Sequence, residues 1–501
     1  MNSTAGPQHE VILGVDLGSS ATKVVAVDGE FAARITVERG YPMHGGPNGE
    51  AVHDPDQVLS AAIEAVRECA RRCAALGLRV AGISFSAAMH TLMALDADLA
   101  PLTPALSWAD ARAAATAKHL RAQEGGRLAR DLHTATGTPV HPMAPMVKLA
   151  WFREHEPVLH VNAAWWCGLK DYVLYRFSGR FVTDHSCASA TGLLDIHTLA
   201  WHTDALAVAG IKTSQLPELV DPLAVAALSA AMALELGLPP GLPITVGAGD
   251  GPLANLGVGA VAPGTAALSV GTSGALRVVR DGPAVDARCQ VFSYALADGL
   301  WVIGGAVSNG GLVAQWAADN FDVADVGELL AKAATLPPEF DGLVSLPYLL
   351  SERAPWWDPD PRGALLGLRR EHGPAAITRA LVDGVARQLA MVRDSVLSTG
   401  AAVDTVLATG GALRSPFWAD VLAAALESPI RVAQTDAGSA AGAALLGWRS
   451  LGSLDSLANV PPAAYRTVNP DAEMARRLSA TRHLHQRAYQ VMREFADEQP
   501  S

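Results

Sequence analysis

No Gly-Lys dipeptide occurs anywhere in these 501 residues. That removes the glycine-rich loop and lysine with which P-loop enzymes cradle phosphates. No His-Arg-Asp or Asp-Phe-Gly triplet occurs either, so a protein-kinase reading lacks its parts. A complete G-x-G-x-x-G, the dinucleotide fingerprint, is also missing. Cysteine is scarce: Cys69, Cys73, Cys167, Cys187 and Cys289 are odd in number and contain no C-x-x-C. No disulfide framework or zinc site is readable, which fits a reducing cytosol. Basic residues are outnumbered, 38 Lys+Arg against 50 Asp+Glu, for a net charge of −12. That balance argues against a nucleic-acid face, although it allows a local basic pocket. The first ten residues, MNSTAGPQHE, have no apolar core of a signal peptide. No stretch of about eighteen apolar residues suggests a membrane span. A cytoplasmic protein is expected.

What is present is globular: 50% hydrophobic and 18% charged residues. The length exceeds one ordinary core, so two or more domains are expected. One arrangement occurs twice. Apolar strand, Gly/Ser/Thr turn and apolar strand appear at residues 11–28 and again at 266–279, each followed by further strands and then helices. Single helices are expected at 165–177 and 471–495, and an alanine-rich buried helix at 223–238. Two related α/β domains follow, each offering one small-residue turn to a shared cleft. Their boundary is expected within the glycine cluster at 255–265, giving domains 1–257 and 258–501. The alanine-rich helices suit either a homodimer interface or a core.

The chemistry concentrates in two places. At 244–276 an apolar run stops at Asp250, a lone carboxylate between Gly249 and Gly251, and a second run ends in Gly271-Thr272-Ser273-Gly274. That second turn is rich in N–H groups and hydroxyls suited to phosphate oxygens. At 16–23, Asp16 closes a strand and Gly18-Ser19-Ser20 follow, with Lys23 nearby. Asp16 is placed to organise Mg²⁺ through water. For either turn alone an ordinary Gly-rich turn is the better reading; the pair suggests phosphoryl transfer.

The run Met143-Ala144-Pro145-Met146-Val147-Lys148-Leu149-Ala150-Trp151-Phe152-Arg153-Glu154-His155 closely resembles the first signature of the FGGY carbohydrate kinases. The resemblance extends over roughly residues 11–450. It implies an actin-like, ribonuclease-H-like ATPase fold: two α/β domains with an interdomain cleft, Mg²⁺ and ATP. On it, Asp250 becomes the general base, and Asp16 and Asp250 flank the metal. Gly18, Ser19, Ser20, Lys23, Gly271, Thr272 and Ser273 become phosphate-side residues. Gly311, Gln315, Gly410, Gly411 and Ser415 become adenosine-side ones. Met89, His90, Trp108, Asp110, Arg112, Lys170 and Asp171 become sugar-site residues. Without the resemblance, His90 reads as a satisfied structural histidine, and Trp108 either stacks on a sugar or fills core. The family's second signature, around Gly363 to Leu368, departs from its pattern where Ala376 or Ile377 stands.

The loop Gly137-Thr138-Pro139-Val140-His141-Pro142-Met143-Ala144-Pro145 resembles the gluconokinase branch, as does Ser86-Ala87-Ala88-Met89-His90-Thr91-Leu92. That implies D-gluconate, whose carboxylate needs cations; His90, Arg112, Lys148 and Lys170 are the candidates. Lys148 and His141 also read as structural braces. D-xylulose or another pentulose or polyol is the alternative within the family. An actin-like ATPase switch without a sugar site is the alternative outside it, and the segments at 86–90, 108–112 and 143–155 argue against that.

Overall fold

The computed structural model describes residues 9–338, 342–433, 438–460 and 464–497. The amino-terminal reading falls mostly on residues outside these. Among the described residues, no helix is long and apolar enough to cross a membrane.

Two sheets share one plan. In the first, β1 (Glu10–Leu17), β2 (Ala21–Asp28) and β3 (Ala33–Gly40) form an antiparallel meander. Helix α1 (Pro55–Ala75) follows, capped by the Asp54 side chain on the Asp56 and Gln57 amides. The chain returns as β4 (Arg79–Ala87), parallel to β1. After a largely helical excursion, β5 (Val225–Ala227) and β6 (Pro243–Gly249) complete the order β5-β6-β4-β1-β2-β3. The second sheet repeats the meander with β7 (Thr265–Val270), β8 (Gly274–Asp281), β9 (Phe292–Ala295) and β10 (Leu300–Val307). It continues with β11 (Thr405–Thr409), β12 (Ile430–Ala433) and β13 (Tyr465–Val468), in the order β9-β10-β8-β7-β11-β12-β13. Corresponding cores, β3-β2-β1-β4-β6 and β10-β8-β7-β11-β12, are the two ribonuclease-H-like domains. The apolar alternation that reads as paired strands in sequence thus builds the same topology twice.

Two helices join the halves. Helix α2 (Asp250–Gly257) leaves the end of β6, and α3 (Gly438–Ser450) comes from the second half but lies on the first sheet. Glycines make that approach possible. A Cβ on Gly14 of β1 would stand 1.8 Å from the Ala440 carbonyl oxygen, and one on Gly442 would stand 2.0 Å from that of Leu253. Trp448 of α3 also donates from its indole nitrogen to the Val27 carbonyl at 3.1 Å.

Three local expectations are corrected. Residues 165–177 are not one helix: Trp165–Cys167 is a strand beside Met93–Leu95, and the helix Leu169–Ser178 starts only after Gly168, whose extended backbone interrupts the run. In 223–238 the sheet claims β5 and the helix shrinks to Ala230–Leu236, because the Ser229 hydroxyl caps it at the Met232 amide. The carboxy-terminal stretch divides at Thr481 into Ala472–Ala480 and Arg482–Asp497.

The glycine contact gives a stability test. Gly14→Ala forces apart a strand and a helix whose backbones touch, and should destabilise by about 1–3 kcal/mol or more. A urea or thermal melt indistinguishable from wild type would contradict this packing.

Candidate active site

Parallel strands end at one place. Asp16 sits near the carboxyl end of β1 and Asp250 immediately after β6, with β4 between them. A bulge aims the second of these. The β6–β4 register shifts between Thr245 and Ala248, and Gly247 there has a φ of 86°. A Cβ on Gly247 would fall 1.7 Å from the Phe85 carbonyl oxygen. Asp250 is the first residue of α2, and its Oδ1 accepts from the Gly251 amide at 2.7 Å.

The two carboxylates disturb each other. Burial first, and then the Asp250 charge, push Asp16 up to about 7, despite a 2.6 Å hydrogen bond from the Ser86 hydroxyl and the nearby Lys23. Burial also raises Asp250, opposed chiefly by Arg277. Two like charges held this way suit a divalent cation. No group of three metal-capable side chains is found among the described residues, so an ion here would keep water and phosphate oxygens as ligands, as Mg²⁺ prefers.

The two small-residue turns face this point. Gly18 donates to the Ala21 carbonyl at 3.0 Å, and Tyr41 braces the turn by donating from its hydroxyl to the Gly18 carbonyl at 2.5 Å. In the second turn, the Gly310 and Gly311 amides donate to the Thr272 and Gly271 carbonyls at 2.9 and 2.7 Å. Among the described residues, no backbone hydrogen bond engages the N–H groups of Ser19, Ser20, Thr272 or Ser273. Ser20 and Thr272 are exposed and Ser19 and Ser273 half-buried, so these donors are open to a ligand. Four unengaged ones on facing turns are the property a phosphate cradle needs.

Two cavities open from the second turn. The larger, about 1090 Å³, brings together Gly271, Thr272, Gly311, Gln315, Gly411 and Ser415. Gly410 stands behind it with a φ of 111°, where a Cβ would meet the Val270 carbonyl oxygen at 2.3 Å. Leu330, Ala331 and Ala334 of the helix Val326–Ala334, with Pro416 and Phe417, supply apolar walls for a flat base. The smaller cavity, about 230 Å³, is lined by Ser19, Met89, His90, Trp108, Asp250, Ser273 and Gly274, among others. The turn therefore stands between the cavities: Gly271 and Thr272 face one, Ser273 and Gly274 the other.

Several sequence-derived sugar-site residues lie apart from this smaller cavity. Arg112 is turned onto Asp110, with Nη2 to Oδ2 at 2.8 Å, and its guanidinium lies 5.1 Å from the Trp151 ring centre. Lys148 is fully buried and donates to the His90 and Ser107 carbonyls at 2.8 and 2.6 Å. Lys170 is salt-bridged to Asp184 and donates to the Val246 carbonyl at 2.9 Å. Asp171 caps its helix at the Gly168 amide, and burial pushes it up to about 7. Lys170 and Asp171 line a separate cavity of about 40 Å³ on the other side of Met89 and His90.

His90 does reach the site. It has a φ of 67°, with Nδ1 2.8 Å from the Ala190 carbonyl and Nε2 3.4 Å from the Tyr294 hydroxyl. Burial holds it neutral, down to about 3, so it offers a ring nitrogen and no charge. The indole of Trp108 donates to the Ser19 hydroxyl at 2.9 Å, tying the sugar side to the first turn.

The sequence reading missed the opposite wall. Arg277, Phe292, Tyr294, Arg353 and Trp357, all from the second half, line the same cavity. The available signal was Arg277 itself, a charged residue inside the apolar strand Gly274–Asp281.

Comparison with known proteins identifies a family. Residues 11–257 match the N-terminal domain, and residues 266–451 the C-terminal domain, of the FGGY family of carbohydrate kinases. The chain is 35% identical to a gluconokinase of Bacillus subtilis, covering 89% of this chain and 88% of that one. Its structure is similar to that of a gluconate kinase from Lactobacillus acidophilus, with a TM-score of 0.90 and 31% identity over 98% of this chain and 99% of the other. It is also similar to a ligand-bound xylulose kinase from the same organism, with a TM-score of 0.91 and 31% identity over 96% and 98%.

The carboxylate pair makes a titration prediction. In metal-free protein Asp16 should lose its proton near pH 7. Asp250→Asn removes a neighbouring negative charge, which lowers the cost of ionising Asp16 and moves that loss to lower pH. Carbon-13 NMR of the aspartate carboxyls measures both; an unmoved midpoint in the variant would contradict the coupling.

Proposed function

This chain belongs to the FGGY family of carbohydrate kinases, and we propose that it phosphorylates D-gluconate with ATP, giving 6-phospho-D-gluconate. The observation that carries the reading is the position of the 271–274 turn, with a nucleotide-sized cavity on one side and Asp250 in a smaller cavity on the other. A phosphoryl group held by that turn has a sugar hydroxyl and a carboxylate within the same enclosure.

Each part then has a role. ATP lies with its base against the apolar walls formed by Leu330 and Phe417 and its phosphates on the two turns. Magnesium bound near Asp16 and Asp250 would neutralise phosphate charge and hold the phosphates in line. The unengaged amides of Ser19, Ser20, Thr272 and Ser273 stabilise the equatorial oxygens as charge shifts. Asp250 accepts the proton of the attacking hydroxyl, and its bond from Gly251 fixes the carboxylate orientation. Neutral His90 and the Trp108 ring position the substrate. Lys148, Asp110 and Arg112 act behind them, holding the loops at 90 and 107–112 in place. Bringing the two halves together around the joint of α2 and α3 excludes water from the transfer.

Gluconate rests on the relatives and on the loop at 136–145. The equally similar xylulose kinase structure keeps D-xylulose as the second reading. A coupled ADP-release assay with Mg-ATP decides, using gluconate, xylulose, ribulose, glycerol and a no-sugar control. Turnover should be strongest on gluconate, and Asp250→Asn should lower kcat by about 10²–10⁴-fold. Preference for xylulose would keep the chemistry and reject the substrate. ATP hydrolysis indifferent to sugar would reject the kinase reading.

A further inference from the structure

The charged side chains lining the smaller cavity are Asp250, Arg277 and Arg353, with His90 neutral beside them. One carboxylate against two guanidiniums leaves the enclosure with one positive charge in excess. Neither arginine lies within salt-bridge distance of a carboxylate among the described residues. The other cations near the sugar side do not line this cavity: Arg112 is bonded to Asp110, Lys170 to Asp184, and Lys148 to two carbonyls. Asp250 acts on Arg277, and Glu352 and then Asp250 on Arg353, without closing on either guanidinium, so two guanidiniums facing one small cavity mark a place for an anion.

Their settings hold them there. Arg277 shares a face of β8 with Ala275, which also lines the cavity, as the period of two along a strand requires. Its cross-strand neighbours are Ala267 and Gly304, which leave space beside it. Arg353 follows buried Glu352, whose carboxylate accepts from the Ser308, Asn309 and Arg353 nitrogens and so fixes the segment. Arg353 itself donates to the Ser308 hydroxyl and the Val307 carbonyl, both at 3.1 Å, and lies 4.8 Å over the Trp108 ring.

We propose that Arg277 and Arg353 together bind the substrate's carboxylate and so select a sugar acid over a neutral sugar. The inference rests on the reading of this cavity as the acceptor site of a sugar-acid kinase. A monoanionic acceptor cancels the excess charge of the cavity; a neutral polyol or ketose leaves it uncompensated. Guanidinium forks match carboxylate geometry. With its carboxylate held by residues of the second half, the acid lies in the same enclosure as Asp250 of the first. The substrate carboxylate thereby also draws the two halves together.

The test compares gluconate with D-glucitol, which carries a neutral CH₂OH where gluconate has its carboxylate. Wild type, Arg277→Gln, Arg277→Lys and Arg353→Gln are assayed on both, with KM for Mg-ATP and the melting temperature recorded. Loss of a charged hydrogen-bonding partner should lower kcat/KM for gluconate by about 10–100-fold. The value for D-glucitol should fall much less than that for gluconate, the KM for Mg-ATP should change little, and Arg277→Lys should retain part of the preference. Equal losses on gluconate and D-glucitol, or a rise in KM for Mg-ATP that accounts for the loss, would overturn the clamp and assign the arginines to phosphate or to folding. That outcome leaves wild-type gluconate kinase activity standing. A wild type that prefers xylulose rejects the substrate reading, and the clamp with it.

Discussion

Two carboxylates that repel each other are held at the ends of neighbouring parallel strands, and much of the fold serves to keep them there. Asp16 and Asp250 are separated by β4 and steadied by Ser86 and by the Gly251 amide. Burial makes both reluctant to ionise, and the Asp250 charge adds to this at Asp16. Such an arrangement is unfavourable in isolation and would be relieved by a cation. The bulge at Gly247, the glycine crossing of β1 with α3, and the bracing of the first turn by Tyr41 all fix the spacing on which this depends.

The remaining architecture divides labour around that pair. The second sheet contributes the 271–274 turn that separates the cavities, and its strand β8 continues from that turn directly into Arg277. The larger cavity is lined by residues of the second half alone. The acceptor cavity takes walls from both halves, with Met89, His90 and Trp108 facing Arg277, Tyr294 and Arg353. In the proposed reading, closure of the halves would change the smaller cavity, which both halves line, more than the larger one.

What sequence could and could not reveal follows from the range of the interactions. The repeated strand–turn–strand and the lone Asp250 are local patterns, and so was the doubled α/β plan. Gly311, Gln315, Gly411 and Ser415 were placed by family resemblance, and the structure gathers them around one cavity. Charge partners were not legible. Lys148, Lys170 and Arg112 looked available for a substrate anion, yet each is tied to a carbonyl or carboxylate that only folding brings near. Arg277 and Arg353 were passed over because one lies in an apolar strand and the other in a loop far along the chain. The boundary errors at 165–177 and 223–238 have a similar source: a sheet edge claimed residues whose local periodicity suits a helix.

The most direct test of the central claim is a crystal structure of the protein with a non-hydrolysable ATP analogue, Mg²⁺ and gluconate. The account predicts the acceptor hydroxyl within about 3.2 Å of the Asp250 carboxylate, the terminal phosphate on the 271–274 turn, and the gluconate carboxylate on Arg277 and Arg353. Gluconate lodged instead in the small cavity beside Lys170 and Asp171, away from Asp250, would contradict it.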